Sequence, residues 1–260
     1  MNKPIEIAAN YVGIAKDKTE QKWYKSFILG VLAGAFIAFG GAFATVAGSG
    51  FSGAQAALVK GAVFPLGLIL VVICGAELFT GNCLLVAPLL NRDIKPLKTF
   101  KSWSIVYLGN FVGATLVAVL VVYSRALSES GVQACISVAT AKSDTSFGYM
   151  LLRGIPCNIL VCLAVWAAMA SKSATGKIFA VYMPVFAFVA CGFEHSIANM
   201  YYITAGIMAS GGTVFNFGFG LLNGILAPTI GNIIGGVLVA LAYWAVYFKR
   251  DKTIETNSDL

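Results

Sequence analysis

Charged residues divide this chain into long apolar stretches. Asp, Glu, Lys and Arg are absent from the stretches 26–59, 61–76, 78–91, 102–124, 154–171, 178–193 and 195–248. Several of these stretches reach the ~20 residues that cross a bilayer as an α-helix. The pattern predicts six membrane-spanning segments, with polar interruptions in the second and the fifth, at about 27–48, 61–90, 103–125, 148–170, 178–210 and 228–248.

Composition leads to the same class of protein. Hydrophobic residues make up 58% of the 260 residues, and charged residues only 11%, against roughly 25% charged residues in ordinary soluble domains. A soluble domain with so few charges would expose large apolar patches to water. We therefore expect an all-α membrane protein whose main surroundings are a lipid bilayer.

The basic residues predict how the chain is oriented. The segment 1–25 holds five Lys, the loop 91–101 holds four Lys and Arg, the loop 171–177 two, and the tail 250–260, with Lys249 before it, three. Six spans would put all of these on one side, and cytoplasmic loops keep the excess of Lys and Arg. We expect a multi-pass protein of the cell membrane with both termini in the cytoplasm. This asymmetry accounts for the net charge of +7 without a nucleic-acid partner.

The pattern also divides the chain into three parts. Residues 1–25 form a cytoplasmic segment in which apolar side chains of 5–15 recur at helical spacing. That spacing fits either an amphipathic helix lying at the membrane surface or a short solvated helix. Residues 26–249 form the six-span domain, and 250–260 form a cytoplasmic tail.

The numbers of cysteine and histidine residues limit the metal sites that the chain could form. Six cysteines include no CxxC pair, and the chain has one histidine. The cysteines are therefore interpreted as small apolar residues of membrane helices, with no disulfide framework and no metal site. No cofactor is predicted.

Two sequence motifs recur in the same order. Residues 74–82 read CGAELFTGN and residues 191–199 read CGFEHSIAN, so Cys, Gly, Glu and Asn recur 117 positions apart. Residues 108–114 (LGNFVGA) match 230–236 (IGNIIGG). Two collinear matches indicate a duplication, in repeats at about 26–125 and 148–249. Because each half holds three spans, the second copy would be inverted, and the motifs would mark broken helices at the repeat interface.

Two carboxylates lie inside these motifs. Glu77 and Glu194 are ionisable groups at membrane depth, where charge is costly. We interpret both, with the recurring Asn82 and Asn199, as scaffolds of the helix breaks, since a carboxylate can accept hydrogen bonds from backbone groups that a break sets free. A proton-carrying role for the carboxylates is the alternative.

His195 is the only imidazole of the chain. Its counterpart in the first repeat is Leu78, so the duplication does not require a polar residue there. Its position in a broken membrane helix favours a pore-facing role, in which imidazole donates a hydrogen bond or a proton to an anion. A buried histidine that only satisfies its own hydrogen bonds is the alternative. From composition alone, Lys142 is a solvated lysine of the outer loop before the fourth span.

Three motifs together resemble a known family. The segments Gly75–Asn82 (GAELFTGN), Arg153–Trp166 (RGIPCNILVCLAVW) and Gly192–Met200 (GFEHSIANM) are similar to the signature regions of the formate/nitrite transporter family. The resemblance runs through nearly all of the membrane region. It implies an aquaporin-like fold with broken second and fifth helices, assembled as a homopentamer.

The resemblance also implies a substrate class and a set of site residues. Members of the family pass small monovalent anions of weak acids, such as formate, nitrite and hydrosulfide. The central pore histidine corresponds to His195, and further residues of the substrate pathway correspond to Thr80, Lys142 and Asn158. The apolar constrictions on either side of the histidine correspond to Phe64, Leu68, Leu78 and Phe188.

These residues lead to one expected mechanism and two alternatives. Lys142 would attract the anion, and His195 would protonate it or donate a hydrogen bond to it, so that it passes as the neutral acid. A water or neutral-solute channel is the first alternative. An intramembrane enzyme using His195 and Glu194 is the second, although the chain lacks a GxSxG motif and a metal-ligand cluster. We expect a transporter and not an enzyme.

The sequence offers less on oligomerisation. Gly30 with Gly34, and Gly231 with Gly235, are GxxxG pairs that permit close helix contact. Contact within one chain is the favoured interpretation, so the pentamer is expected from the resemblance only.

Overall fold

The computed structural model describes residues 1–212 and 220–248 of the chain. The predicted tail 250–260 lies outside these residues. In the described part, the regular structure is helical, and we number ten helices in chain order. They are α1 (Pro4–Glu20), α2 (Trp23–Gly48), α3 (Gly53–Cys74), α4 (Phe79–Leu90), α5 (Pro96–Tyr123), α6 (Glu129–Asp144), α7 (Phe147–Ala170), α8 (Ala174–Ala190), α9 (Ser196–Ala209) and α10 (Gly220–Phe248).

Five of these helices are long and apolar enough to cross a membrane: α2, α3, α5, α7 and α10. Helices α4 and α8 are apolar but shorter. The all-α, membrane-spanning class predicted from the charge-free stretches is confirmed in this form. Short non-helical stretches separate α3 from α4 and α8 from α9.

A glycine ends the helix before each of these two breaks. Gly75 follows α3 with φ 74°, and Gly192 lies just beyond α8 with φ 70°. This left-handed conformation strains residues that have a Cβ, so glycine is the residue that suits it. The next residues close the helix ends, as Ala76 N donates to Val71 O at 3.0 Å and Phe193 N to Phe188 O at 2.9 Å. The residues that follow each turn, 77–82 and 194–199, are buried.

Asn110 of α5 holds the first break together. Its Nδ2 donates to Gly30 O at 2.8 Å and to Glu77 O at 2.9 Å, and its Oδ1 accepts from Phe79 N at 3.0 Å. The Asn110 side chain is fully buried. It therefore satisfies backbone groups that lipid could not.

Asn232 of α10 makes the corresponding bonds at the second break. Its Nδ2 donates to Gly154 O and to Glu194 O, both at 2.8 Å, and its Oδ1 accepts from Ser196 N at 2.8 Å. These partners lie 117 to 124 positions after those of Asn110. The second sequence match, 108–114 with 230–236, thus marks the two side chains that hold the breaks.

Glycines let the supporting helices approach closely. A Cβ at Gly34 would overlap Asn110 of α5, and a Cβ at Gly231 would overlap the Leu151 carbonyl of α7. The GxxxG contacts of α2 and α10 therefore lie within the chain, as the sequence interpretation favoured.

Two segments differ from their predicted form. The stretch before α7 was expected to be a loop, but α6 covers Glu129–Asp144, begins with a hydrogen bond from Gly131 N to Ser128 Oγ, and packs against α9. Its buried positions are the small residues Gly131, Cys135, Ala139 and Ser143 at four-residue spacing. The helix as a whole is too polar to count as a span.

Helix α1 packs against protein. Its buried residues belong to a cluster with Leu84 and Trp166, and Asn2 N donates to Ala170 O at 2.8 Å. Ile5, one of the apolar positions noted in the sequence, is 55% exposed. The apolar face of α1 thus faces neither lipid nor water for most of its length.

Candidate functional site

Two cavities lie on opposite sides of the broken helices. The first, of about 230 Å³, is lined by Lys142, Glu194 and His195 together with residues of α2, α3 and α8, and we call it the Lys142 cavity. The second, of about 280 Å³, is lined by Lys18 and Glu77 together with residues of α3 and α7, and we call it the Lys18 cavity. Each cavity places an ion pair next to a break.

In the Lys142 cavity, Nζ of Lys142 lies 2.5 Å from Oε2 of Glu194. The same oxygen accepts from Nδ2 of Asn199 at 2.8 Å. The two side chains of the ion pair are 16% and 8% exposed. The Lys142 ammonium also lies 5.3 Å from the ring centre of Tyr202. Lys142 is therefore held at the cavity wall and is not a freely solvated loop lysine.

The Lys18 cavity repeats this arrangement. Nζ of Lys18 lies 2.7 Å from both carboxylate oxygens of Glu77, and Asn82 Nδ2 donates to Glu77 Oε2 at 2.8 Å. Lys18 is on α1 and Lys142 on α6, and they are 124 positions apart. Sequence reasoning missed Lys18, because it counted the N-terminal lysines only toward orientation.

The carboxylates act differently from what was expected. Glu77 and Glu194 were predicted to accept hydrogen bonds from backbone groups freed by the breaks, but the hydrogen bonds to their carboxylates come from a lysine and an asparagine side chain. Asn110 and Asn232 bind the backbone groups. The physical reason is that an opposite charge offsets part of the cost of burying a carboxylate, and a backbone N–H carries no net charge.

His195 and Thr80 join the two breaks. His195 Nε2 lies 2.9 Å from Thr80 Oγ1, and both residues are buried. His195 Nδ1 accepts from the backbone N–H of Ala198 at 3.1 Å, which caps α9. Nδ1 therefore carries no proton, and the proton of the neutral ring is inferred to lie on Nε2, so that the ring donates to Thr80 Oγ1. The Thr80 hydroxyl proton remains free to donate elsewhere.

Buried apolar side chains line both cavities next to the breaks. Phe64 and Phe188 line the Lys142 cavity with ring centres 5.8 Å apart, and the Phe188 ring stacks on His195 at 5.9 Å. Leu68 and Leu78 line the Lys18 cavity. All four apolar side chains are 2–3% exposed. The structure thus places the four candidate constriction residues in the walls of the two cavities.

Asn158 lies beside this centre but lines neither cavity. Its Nδ2 donates to Thr80 O at 3.2 Å and to Asn232 O at 2.6 Å. It fixes the backbone that carries Thr80. Among the described residues, no group of three or more His, Cys, Asp or Glu side chains could hold a metal ion.

Comparison with known proteins gives a consistent result. A family model described as "Formate/nitrite transporter" matches residues 5–245. A probable formate transporter of Methanothermobacter thermautotrophicus is 40% identical over 270 residues, covering 95% of this chain and 97% of the relative. The formate channel FocA of Escherichia coli K12 is 38% identical over 254 residues, covering 87% and 88%.

A solved structure agrees with these sequence matches. A pentameric formate channel with formate bound superposes with a TM-score of 0.76 at 32% identity, covering 87% of this chain and 98% of that one. The family consists of transporters and not of enzymes, so the expectation that the chain is not an enzyme is confirmed. The resemblance of the three sequence motifs to this family is confirmed as well. The chain belongs to the formate/nitrite transporter family.

Proposed function

We propose that this chain conducts small monovalent anions of weak acids, with formate as the principal test substrate and nitrite and hydrosulfide in the same class. The observation that carries this proposal is the His195–Thr80 contact between two cavities that each hold a lysine. The names of two relatives and of the solved channel, which refer to formate, support the choice of substrate.

The two cavities would lower the cost of bringing an anion toward the membrane centre. An unpaired charge in an apolar environment is strongly disfavoured. Lys142 on one side and Lys18 on the other would attract the anion by their positive charge. The N-termini of α4 and α9, at the buried residues Phe79 and Ser196, would add a favourable partial charge.

The centre would pass the neutral acid. Desolvation raises the pKa of a weak acid, so an anion leaving a cavity for the apolar constriction takes up a proton. Because Nδ1 of His195 already accepts from Ala198 N, the ring has one proton, on Nε2, and cannot release it without becoming an anion. We therefore assign His195 and Thr80 the hydrogen-bonding role. The proton comes from the bulk solution as hydronium, carried by water in the cavity, so that the anion and one proton leave that solution together.

Phe64, Leu68, Leu78 and Phe188 would give selectivity. Their side chains offer no hydrogen bond to a hydrated cation or to the anion of a strong acid, which cannot take up a proton. Small weak acids would pass, since they lose their charge before entering.

The architecture that we propose for this pathway is an inverted repeat. Helices α1–α5 and α6–α10 make corresponding contacts at offsets of 117 to 124 residues, as described above for Asn110 and Asn232. Counting α3 with α4 and α8 with α9 gives six crossings with a broken second and fifth helix, an aquaporin-like arrangement. Both termini would then lie on the cytoplasmic side, with the Lys18 cavity.

We also propose a homopentamer with one pathway in each chain. The support is the description of the solved relative as a pentameric channel. The mass of the purified protein in detergent, corrected for bound detergent, tests this. A monomeric mass would contradict it.

Flux of labelled formate into proteoliposomes tests the function. We expect uptake above that of protein-free liposomes, with strongly reduced uptake for His195→Phe and Lys142→Ala. Wild-type rates for both variants from about pH 5 to about pH 8, a range that includes the ordinary pKa of histidine, would contradict the mechanism. Water or neutral-solute flux that is insensitive to pH and to added formate would instead favour the neutral-solute channel.

A further inference from the structure

Each cavity contains a second lysine in addition to the ion-paired one. Lys60 on α3 lines the Lys142 cavity, and Lys177 on α8 lines the Lys18 cavity. Both residues are partly buried. They are 117 positions apart, the same spacing that relates Glu77 to Glu194.

These two lysines leave each cavity with an excess positive charge. The charged residues that line either cavity are two lysines and one glutamate. In residues 1–212 and 220–248, the ion pairs are Lys18–Glu77, Lys98–Glu20 and Lys142–Glu194. The glutamate in each cavity is thus matched by its own lysine, and the charge of Lys60 or Lys177 has no carboxylate to balance it within the described part.

Local packing holds the stem of Lys60 in place. The side chain lies over Gly48 at the end of α2, where a Cβ would come within 2.8 Å of Lys60 Cγ. The glycine makes room for the methylene groups. The ammonium, which carries three donors and is strongly hydrated, remains available to the cavity.

We propose that Lys60 and Lys177 are anion-capture sites, one in each cavity, which bind the incoming monovalent anion before it reaches the ion pair and the constriction. This inference rests on the proposed function and adds two residues that set the apparent affinity. Lys142 and Lys18 are partly neutralised by their glutamates, so the excess charge is contributed by the other lysine. Capture precedes the constriction, so its loss lowers occupancy at low substrate concentration and leaves the maximal flux nearly unchanged.

The first experiment measures the concentration dependence of formate uptake. Lys60→Gln and Lys177→Gln are compared with Lys60→Arg, which keeps the charge. The matched controls are Arg125→Gln and Lys172→Gln, which remove exposed cations that do not line the two cavities. By connectivity, Arg125 follows a helix that ends on the side of Lys60, and Lys172 shares a side with Lys177.

We expect the apparent KM to rise about threefold to tenfold in each Gln variant, the effect of one lost charge at contact distance in a wet cavity. The maximal flux should stay within about twofold, since only binding before the constriction is lost. The rise in apparent KM should be largest at roughly 10 mM salt, where the screening length is about 30 Å. It should be nearly absent at roughly 1 M salt, where the screening length is about 3 Å. Lys60→Arg should behave as wild type. A KM for Lys60→Gln equal to that of Arg125→Gln would overturn the proposal.

A second measurement does not depend on flux. Lys60 of the detergent-solubilised protein is acylated with an anionic succinimidyl ester, and the extent is read by mass spectrometry in formate or in gluconate at equal ionic strength. We expect formate to protect Lys60 more than gluconate does, because gluconate is larger and enters the cavity less readily. Equal acylation in both anions would overturn the capture site.

Together, the measurements separate this inference from the proposed function. Wild-type flux of formate with no KM change in Lys60→Gln rejects capture and leaves the proposed function standing. Protection of Lys60 by formate without any protein-dependent formate flux rejects the proposed function and leaves the binding site standing.

Discussion

Asn232→Ala removes the side chain that holds the second helix break. The substitution leaves Ser196 N–H and Glu194 O without their partner and removes a second hydrogen bond from Gly154 O, and Asn232 itself is fully buried. An unsatisfied buried polar group costs about 1–3 kcal/mol. Two such groups set an upper range of about 2–6 kcal/mol, and relaxation or entry of water reduces it. We expect a loss in the lower half of this range, about 3 kcal/mol.

Thermal unfolding of the purified protein in detergent measures this loss. In a chain of this size, 1 kcal/mol shifts Tm by about 2–4 °C, so Asn232→Ala should unfold about 6–12 °C below wild type. The matched control is Asn223→Ala on the same helix, which removes one hydrogen bond, from Nδ2 to Ser143 O at 3.0 Å. The control should lose about 1 kcal/mol or less. A Tm for Asn232→Ala equal to that of Asn223→Ala would refute the role of Asn232.

Three further predictions concern the ion pair, the glycine turn and the central hydroxyl. Lys142→Met leaves Glu194 buried without its cation and should destabilise the protein by about 3–5 kcal/mol. Adding Glu194→Gln to this variant should recover part of the lost Tm. If the Tm does not recover, the unpaired charge of Glu194 is not the cause of the loss. Gly192→Ala, at φ 70°, should lower the free energy of unfolding by about 1–2 kcal/mol. The control Gly148→Ala, at a helical position with open space around it, should be neutral or stabilising in the same Tm assay. Equal Tm shifts in the two variants would contradict backbone strain at position 192. Thr80→Val should lower formate flux about tenfold, through loss of a hydrogen bond worth about 1.4 kcal/mol. Thr80→Ser keeps the hydroxyl and should stay near the wild-type flux. Equal flux in both variants would contradict a role of the Thr80 hydroxyl in the passage of formate.

The sequence predicted the long apolar helices and both breaks through features that are local. A charge-free stretch of about 20 residues is diagnostic of a membrane helix on its own, and the motifs around Glu77 and Glu194 recur within nine residues. His195 was found because it is the only histidine and lies in such a motif. These inferences needed no knowledge of which helices pack together.

The missed features depend on contacts between distant segments. Lys18 lies 59 positions from Glu77, and only the docking of α1 brings the two together. Asn110 and Asn232 were noted as markers of the repeat, but their bonds reach helices up to 80 positions away. Helix α6 escaped notice because its buried face consists of Gly, Cys, Ala and Ser, small residues that pack against α9 without raising the mean hydropathy to that of a span.

The central claim is that the constriction passes the neutral acid, and its most direct test follows the proton and the charge together. Proteoliposomes with a pH indicator inside receive an inward formate gradient, and the membrane potential is recorded at the same time. We expect acidification of the lumen above that of protein-free liposomes, no change in membrane potential, and loss of the excess acidification in His195→Phe. Formate entry that changes the membrane potential without acidifying the lumen would contradict the account.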